Sequence, residues 1–359
     1  MAAALPHIGL LLRALPSSSR FIARWDDVRD ALERPDEFPT IYAQTEAQLV
    51  GGKGLFPLGA SGGLHGCLRA RLETALDWPG SAQPLANHAG AVMREAVGRW
   101  TPGAPFDAIG WFHAATMAVM RPWLGLGGGG VSDEQLAQWA MTLFEWQFAG
   151  LDGRAADEAR AVAGRMQAFV DDRIRVARQG SDGTFLAAVL KACPKHPERV
   201  RAFVIGTAVA ALPQLPIAAA RALNQLVVRP VALGQARDAL ARDGEGALWK
   251  QLREALRFDP VAPALRRHDH RGRGRTLLPL AAMHDGRRVP HPSAFEAGRD
   301  ASAYLIFGCG PHACVAAPLV ERMLPALIAP ILRHSDVRRH GGMHCPGLAP
   351  ERLDLVRDA

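Results

Sequence analysis

Phe307-Gly308-Cys309-Gly310-Pro311-His312-Ala313-Cys314-Val315-Ala316 is the stretch from which the rest of the chain can be read. Two glycines and a proline precede an apolar, helix-patterned run from Val315 to Leu332. Cys314 is therefore expected at a helix N-terminus, where unpaired backbone N–H groups and the helix dipole favour a thiolate. A thiolate so placed can serve as an iron ligand, a zinc ligand or a nucleophile. Zinc held by Cys309, His312 and Cys314 matches no usual ligand spacing. A nucleophile needs a base, and none is placed by the sequence. A plain buried cysteine in a loop is the remaining alternative.

Outward from this loop the chain reads as mostly helical. Phe21 to Arg24 resembles a short strand, and Asp26-Asp27 should open a helix that Pro35 closes. Residues 45–64 are Gly-rich and aperiodic and read as a loop. Helical patterns follow at about 65–76, 85–100, 107–124, 132–149, 154–178, 183–192, 197–228, 234–257 and 315–332. Pro213 and Pro216 should interrupt the 197–228 segment. Gly127–Gly130 reads as a flexible connection, and no Lys-Ser or Lys-Thr follows it as a phosphate loop requires. Residues 260–310 are rich in Pro, Gly, Arg and His, with one strand-like run at Thr276–Ala282. Strand–helix units do not repeat, which argues against a dinucleotide-binding fold.

The cysteine segment resembles the haem-binding loop of the cytochrome P450 family, Phe-Gly-x-Gly-x-His/Arg-x-Cys-x-Gly. Phe307, Gly308, Gly310, His312, Cys314 and the helix continuation at Leu319 match; Ala316 stands where the family usually has Gly. Glu254-Ala255-Leu256-Arg257 is similar to the family's Glu-x-x-Arg, whose two charges share a helix face. By resemblance Arg299 completes a buried ion network with Glu254 and Arg257. His65 and Arg69, at i and i+4, look like the family's His-x-x-x-Arg. The resemblance runs over about residues 20–355. It implies a mostly α, small-β cytochrome P450-like fold, truncated at the N-terminus, forming a single domain over residues 1–359 with β portions near 20–24 and 260–300. It implies haem b (iron protoporphyrin IX) as cofactor, with Cys314 as the metal ligand. His65, Arg69, Arg267 (or Arg266 in its place) and His312 would hold the propionates, Phe307 would pack near the sulfur, and the glycines, Gly308 among them, would let the backbone approach the haem.

Three departures from the family are visible. The part before Phe21 lacks most of an opening helix. The stretch His268–Thr276 is shortened, so a small hairpin is expected to be missing; His268, Asp269 and His270 within it read as surface loop. Third, the central helix carries Ala211-Leu212-Pro213-Gln214-Leu215-Pro216-Ile217 where the family places an acid followed by Thr to deliver protons to dioxygen. Its two prolines should kink the helix over the haem. Gln214 is the single polar side chain there and the candidate catalytic residue. A bacterial-type oxidoreductase acting on a small, specialised-metabolite substrate is the leading expectation. A peroxide-driven or redox-neutral haem enzyme, or a catalytically silent partner protein, is the alternative. Trp111–Trp123 and Phe144–Phe148 are candidates for the substrate pocket.

Composition is that of an ordinary globular protein. Of 359 residues, 48% are hydrophobic and 21% charged, which excludes a disordered or coiled-coil chain. The five cysteines, an odd number without framework spacing, point to a reducing cytoplasm. An apolar stretch at Ile8–Leu12 is cut short by Arg13, and no run reaches about 18 apolar residues, so no membrane span is expected. Arginine dominates the net charge of +7. No basic–aromatic pattern marks a nucleic-acid site. Surface arginines such as Arg322 would instead suit an acidic ferredoxin as redox partner.

Overall fold

The computed structural model describes residues 20–180, 183–334 and 336–358. The expectations about Ile8–Leu12 and about the opening helix fall outside the described residues. Apolar periodicity yields helices α1 (Trp25–Glu33), α2 (Ala43–Val50), α3 (Gly62–Leu76), α4 (Trp78–Gly98), α5 (Ala108–Leu124), α6 (Asp133–Ala149), α7 (Gly153–Ala177) and α8 (Phe185–Ala192). They are followed by α9 (Pro197–Val227), α10 (Pro230–Asp243), α11 (Glu245–Phe258), α12 (Pro279–Ala282) and α13 (Ala317–Leu332). Side-chain caps set several starts: Asp107 accepts from the Ile109 N–H, Ser132 from Gln135 and Thr184 from Ala187.

Two three-stranded sheets complete the fold. In the first, β1 (Arg20–Ile22) runs parallel to β4 (Gly274–Leu277), which pairs antiparallel with β3 (Leu265–His268). In the second, β6 (Asp354–Val356) lies between β2 (Phe106–Asp107) and β5 (Arg338–Arg339). The second sheet lies wholly outside the expected β portions, because pairs of two or three residues carry no sequence period.

Several local expectations are corrected. Residues 45–64 are not all loop: α2 occupies 43–50, with Leu49 and Val50 buried against the core. The segment 234–257 is two helices, split at Gly244, whose φ of 77° breaks the helical path. Asp26 and Asp27 sit in the first turn of α1, where they suit the dipole, and do not cap it. The run Thr276–Ala282 is the end of β4 followed by α12. The stretch His268–Thr276 is the tip of the β3–β4 hairpin, turned by Asp269, whose carboxylate takes the N–H groups of Arg271 and Arg273 and pairs with Arg273 and Arg275. A hairpin is therefore present across this stretch, with a five-residue turn that holds no second one.

Pro213 and Pro216 do not interrupt α9, which is continuous over 31 residues. Each proline removes one N–H, leaving the carbonyls of Val209 and Leu212 without their i+4 donor. Burial of both prolines and their neighbours against surrounding helices outweighs those two lost bonds. α9 is long and apolar enough to cross a membrane, yet 83% of its most apolar window is buried inside the molecule, as expected of a core helix.

The segment from Met283 to Tyr304 has little regular structure, so several of its backbone carbonyls need side-chain donors. Two buried guanidiniums supply them. Arg257 donates to the carbonyls of Met283, Pro292 and Ala294; Arg299 donates to those of Pro290, His291 and Ala294. Both pair with Glu254, at 2.7 Å from Arg257 and 3.3 Å from Arg299, and the Tyr304 hydroxyl donates to the same carboxylate at 3.0 Å. Glu254 and Arg257 are wholly buried. Glu254→Gln removes the buried carboxylate that both cations share, leaving Arg299 only the half-exposed Glu296. It should lower unfolding free energy by about 3–5 kcal/mol, seen as a lower urea midpoint at unchanged slope.

Candidate functional site

The cysteine loop is braced from three sides. Cys314 N–H donates to the Phe307 carbonyl at 2.8 Å, closing the loop on itself. Trp78 Nε1 donates to the Val315 carbonyl at 2.6 Å. Arg69 Nη1 donates to the carbonyls of Pro311 (3.0 Å) and Ala313 (2.6 Å). Gly310 has φ 70°, and a Cβ there would lie 2.6 Å from the Leu32 carbonyl oxygen at the end of α1. Its smallness thus serves close packing against α1. The Phe307 ring stacks on Trp249 at 6.0 Å between centroids.

Cys314 lies three residues before α13, so the helix begins later than expected. Its side chain is exposed on the loop, yet surrounding protein desolvates the thiol and raises its pKa. The N–H groups of Ala316 and Ala317, with Arg69, pull the other way. On balance burial outweighs those donors and the thiol pKa is raised.

Beside the loop, His65, Arg69, Arg267 and His312 come together from α3, β3 and the loop itself. The His65 and His312 rings lie 4.1 Å apart. Burial, then His65, Arg267 and Arg69, push the His312 pKa down to about 4. Burial and then Arg69 lower that of His65. Arg267 is 5% exposed, its Nε is buried without a hydrogen-bond partner, and burial lowers its pKa. Only Arg69 has a carboxylate partner among the described residues, Glu73 at 2.8 Å. Arg69 thus has a second task that spacing could not reveal, holding the cysteine loop. Among the described residues, no group of three His, Cys, Asp or Glu side chains is placed to hold a metal ion by itself.

A separate cavity opens where α6, α9 and the turn before β3 meet. Its wall includes Tyr42, Phe144, Phe148, Gln214, Ile217 and Arg266. Phe144, Phe148 and Gln214 were anticipated, whereas Trp111–Trp123 does not reach this cavity. Tyr42 gave no signal in the sequence and Arg266 only one for a propionate role, since only the fold brings residues so far apart in the chain together. Arg266 and Arg267 are neighbours on a strand, so their side chains leave on opposite faces. This separates the two candidates for one role: Arg267 acts on His312, and Arg266 lines the cavity.

Neither a family model nor a curated protein matches this sequence. Solved structures do. P450BioI in complex with acyl carrier protein ligated to hexadec-9Z-enoic acid superposes with TM-score 0.83 at 17% identity, over 94% of this chain and 91% of that one. A structure of unusual cytochrome P450-like monooxygenases involved in microbial secondary metabolism gives 0.81 at 14% identity, over 98% of both chains. CYP154A1 from Streptomyces coelicolor A3(2) gives 0.76 at 19% identity, over 94% and 91%.

The crowding of His312 has a pH consequence. Its folded pKa of about 4 lies below the ordinary histidine value near 6.5. Above that ordinary value neither state is protonated and the group is neutral to stability. As pH falls from about 6.5 toward 4, the unfolded chain takes up a proton that folded His312 refuses, so stability declines. The ligand-free protein should therefore lose melting temperature across this window, and His312→Gln should flatten the decline, as measured by thermal unfolding at stepped pH. Helix order, the buried Glu254–Arg257–Arg299 network beside the cysteine loop, and superposition over nearly the whole length together establish that this chain has the cytochrome P450 fold.

Proposed function

We propose that the protein is a haem–thiolate oxidoreductase of the monooxygenase type that oxidises a small organic molecule. One observation carries this reading: four cationic or potentially cationic side chains converge beside an accessible cysteine with a single carboxylate between them. Of these the two arginines carry charge at neutral pH, and burying Arg267 without a carboxylate is costly unless an anion completes it. Haem b fits the donor set, offering two propionates to the cations and an iron to the sulfur. His65, Arg69, Arg267 and His312 would hold the propionates, and Cys314 would ligate the iron. The unpartnered Nε of Arg267 is an orphan donor of the kind a propionate relieves.

When bound, haem with a thiolate ligand supplies a centre whose electron density favours O–O cleavage. The chain's own part is positional. Phe307 and Gly308 fix the loop that presents Cys314, and Arg69 and Trp78 hold that loop against α3 and α4. Phe144, Phe148 and Ile217 exclude water from the cavity, and Gln214 offers it an amide for orienting a substrate or a proton. A specialised-metabolite substrate accords with the likeness to P450-like monooxygenases of microbial secondary metabolism. A ferredoxin donor and a cytoplasmic location complete the reading.

The peroxide-driven alternative rests on its own observation: from Ala211 to Ile217 the central helix has no acid and no hydroxyl to relay protons. Retention of Cys314 in a braced loop weighs against a catalytically silent partner protein.

Optical spectra of the purified, haem-supplemented protein, reduced under carbon monoxide, test the proposal. The wild type should show the red-shifted Soret band of thiolate ligation, and Cys314→Ala should lose it. An unchanged spectrum in Cys314→Ala, or no haem uptake by the wild type, would overturn it. Turnover with peroxide alone would then select the alternative over ferredoxin-dependent chemistry.

A further inference from the structure

The cavity beside α9 carries one charge. Among its lining residues Arg266 is the only ionisable side chain that is charged at neutral pH, and no Asp or Glu lines it. The rest of the wall is aromatic and aliphatic, apart from the Gln214 amide and the Tyr42 hydroxyl. Arg266 is half-buried, makes no ion pair among the described residues, and its Nε is buried without a hydrogen-bond partner. Its guanidinium lies over Gly150 at the C-terminal end of α6, within about 3 Å of where a Cβ would stand. A helix C-terminus tolerates a cation there, but no α6 carbonyl accepts a hydrogen bond from Arg266. The donors of this guanidinium therefore remain available to the cavity. Arg267, on the opposite face of the strand, is committed to the cluster around His312.

We propose that this cavity takes an apolar molecule bearing a carboxylate, with Arg266 as its anchor and specificity determinant. The proposal rests on reading this cavity as the substrate cavity. Apolar walls exclude water from the body of the ligand, and the planar guanidinium matches a carboxylate in paired hydrogen bonds. Gly150 is part of the seat, because a side chain there would meet the guanidinium.

Isothermal titration calorimetry of the haem-supplemented protein with octanoate, dodecanoate and 3-phenylpropionate, each against the alcohol of the same skeleton, tests this. At least one carboxylate should bind about tenfold or more tighter than its alcohol. Arg266→Gln should abolish the preference, and Arg266→Lys should keep part of it by retaining charge without the fork. Equal binding of acid and alcohol, a preference that survives in Arg266→Gln, or no binding by any carboxylate would each overturn the proposal. Haem absorbance in the same samples separates the two levels. Loss of the haem reading appears as absent Soret intensity with carboxylate preference intact. Loss of the present inference appears as full haem loading without preference.

Discussion

The Glu254 carboxylate is the constraint on which the site depends. The chain between α12 and the cysteine loop runs for some twenty residues with little regular structure, and its backbone turns leave several carbonyls for side-chain donors. Arg257 from α11 and Arg299 from within the segment donate to five different carbonyls, and Glu254 on α11 pairs with both. Tyr304 adds a hydroxyl to the same carboxylate just before the loop begins. A core of apolar side chains can hold helices together but cannot dictate the path of an irregular segment. A buried, fully paired ion network can, because each misplaced carbonyl would strand a donor.

From that anchored segment the loop leads to a site whose charge is unbalanced by its own residues. Among the described residues three of the four groups near Cys314 have no carboxylate partner, and burial, followed by His65, Arg267 and Arg69, lowers the pKa of His312. The thiol is likewise not self-sufficient, since desolvation raises its pKa despite the backbone donors of Ala316 and Ala317. Both imbalances point the same way. Arg267 lacks a carboxylate among the described residues, and the sulfur of Cys314 sits in the loop beside it. A planar iron complex carrying two carboxylates answers both.

Much of this site was legible because its motifs are local. Phe307 to Ala316, Glu254 with Arg257, and His65 with Arg69 each span one turn or one loop, so their spacing in the sequence survives in the structure. Long helices were legible from their period, with ends shifted by a few residues. What sequence could not show depends on distant partners. The strands of the second sheet are too short to carry a pattern and exist only through pairing. The prolines of α9 predict a break that tertiary burial overrides. The close approach of Gly310 to Leu32 exists only once α1 packs against the loop. Tyr42 and Arg266 become cavity residues only when the turn before β3 meets α6 and α9.

The central claim is that the cation cluster and Cys314 together form the seat of one dianionic iron complex. Comparing the binding of haem with that of its dimethyl ester tests it most directly, because esterification removes both carboxylate charges and leaves iron and ring intact. The account predicts that the ester binds at least about tenfold more weakly, since charge-assisted hydrogen bonds are lost, and that Arg267→Gln narrows the gap. Equal affinity for haem and its ester would contradict it.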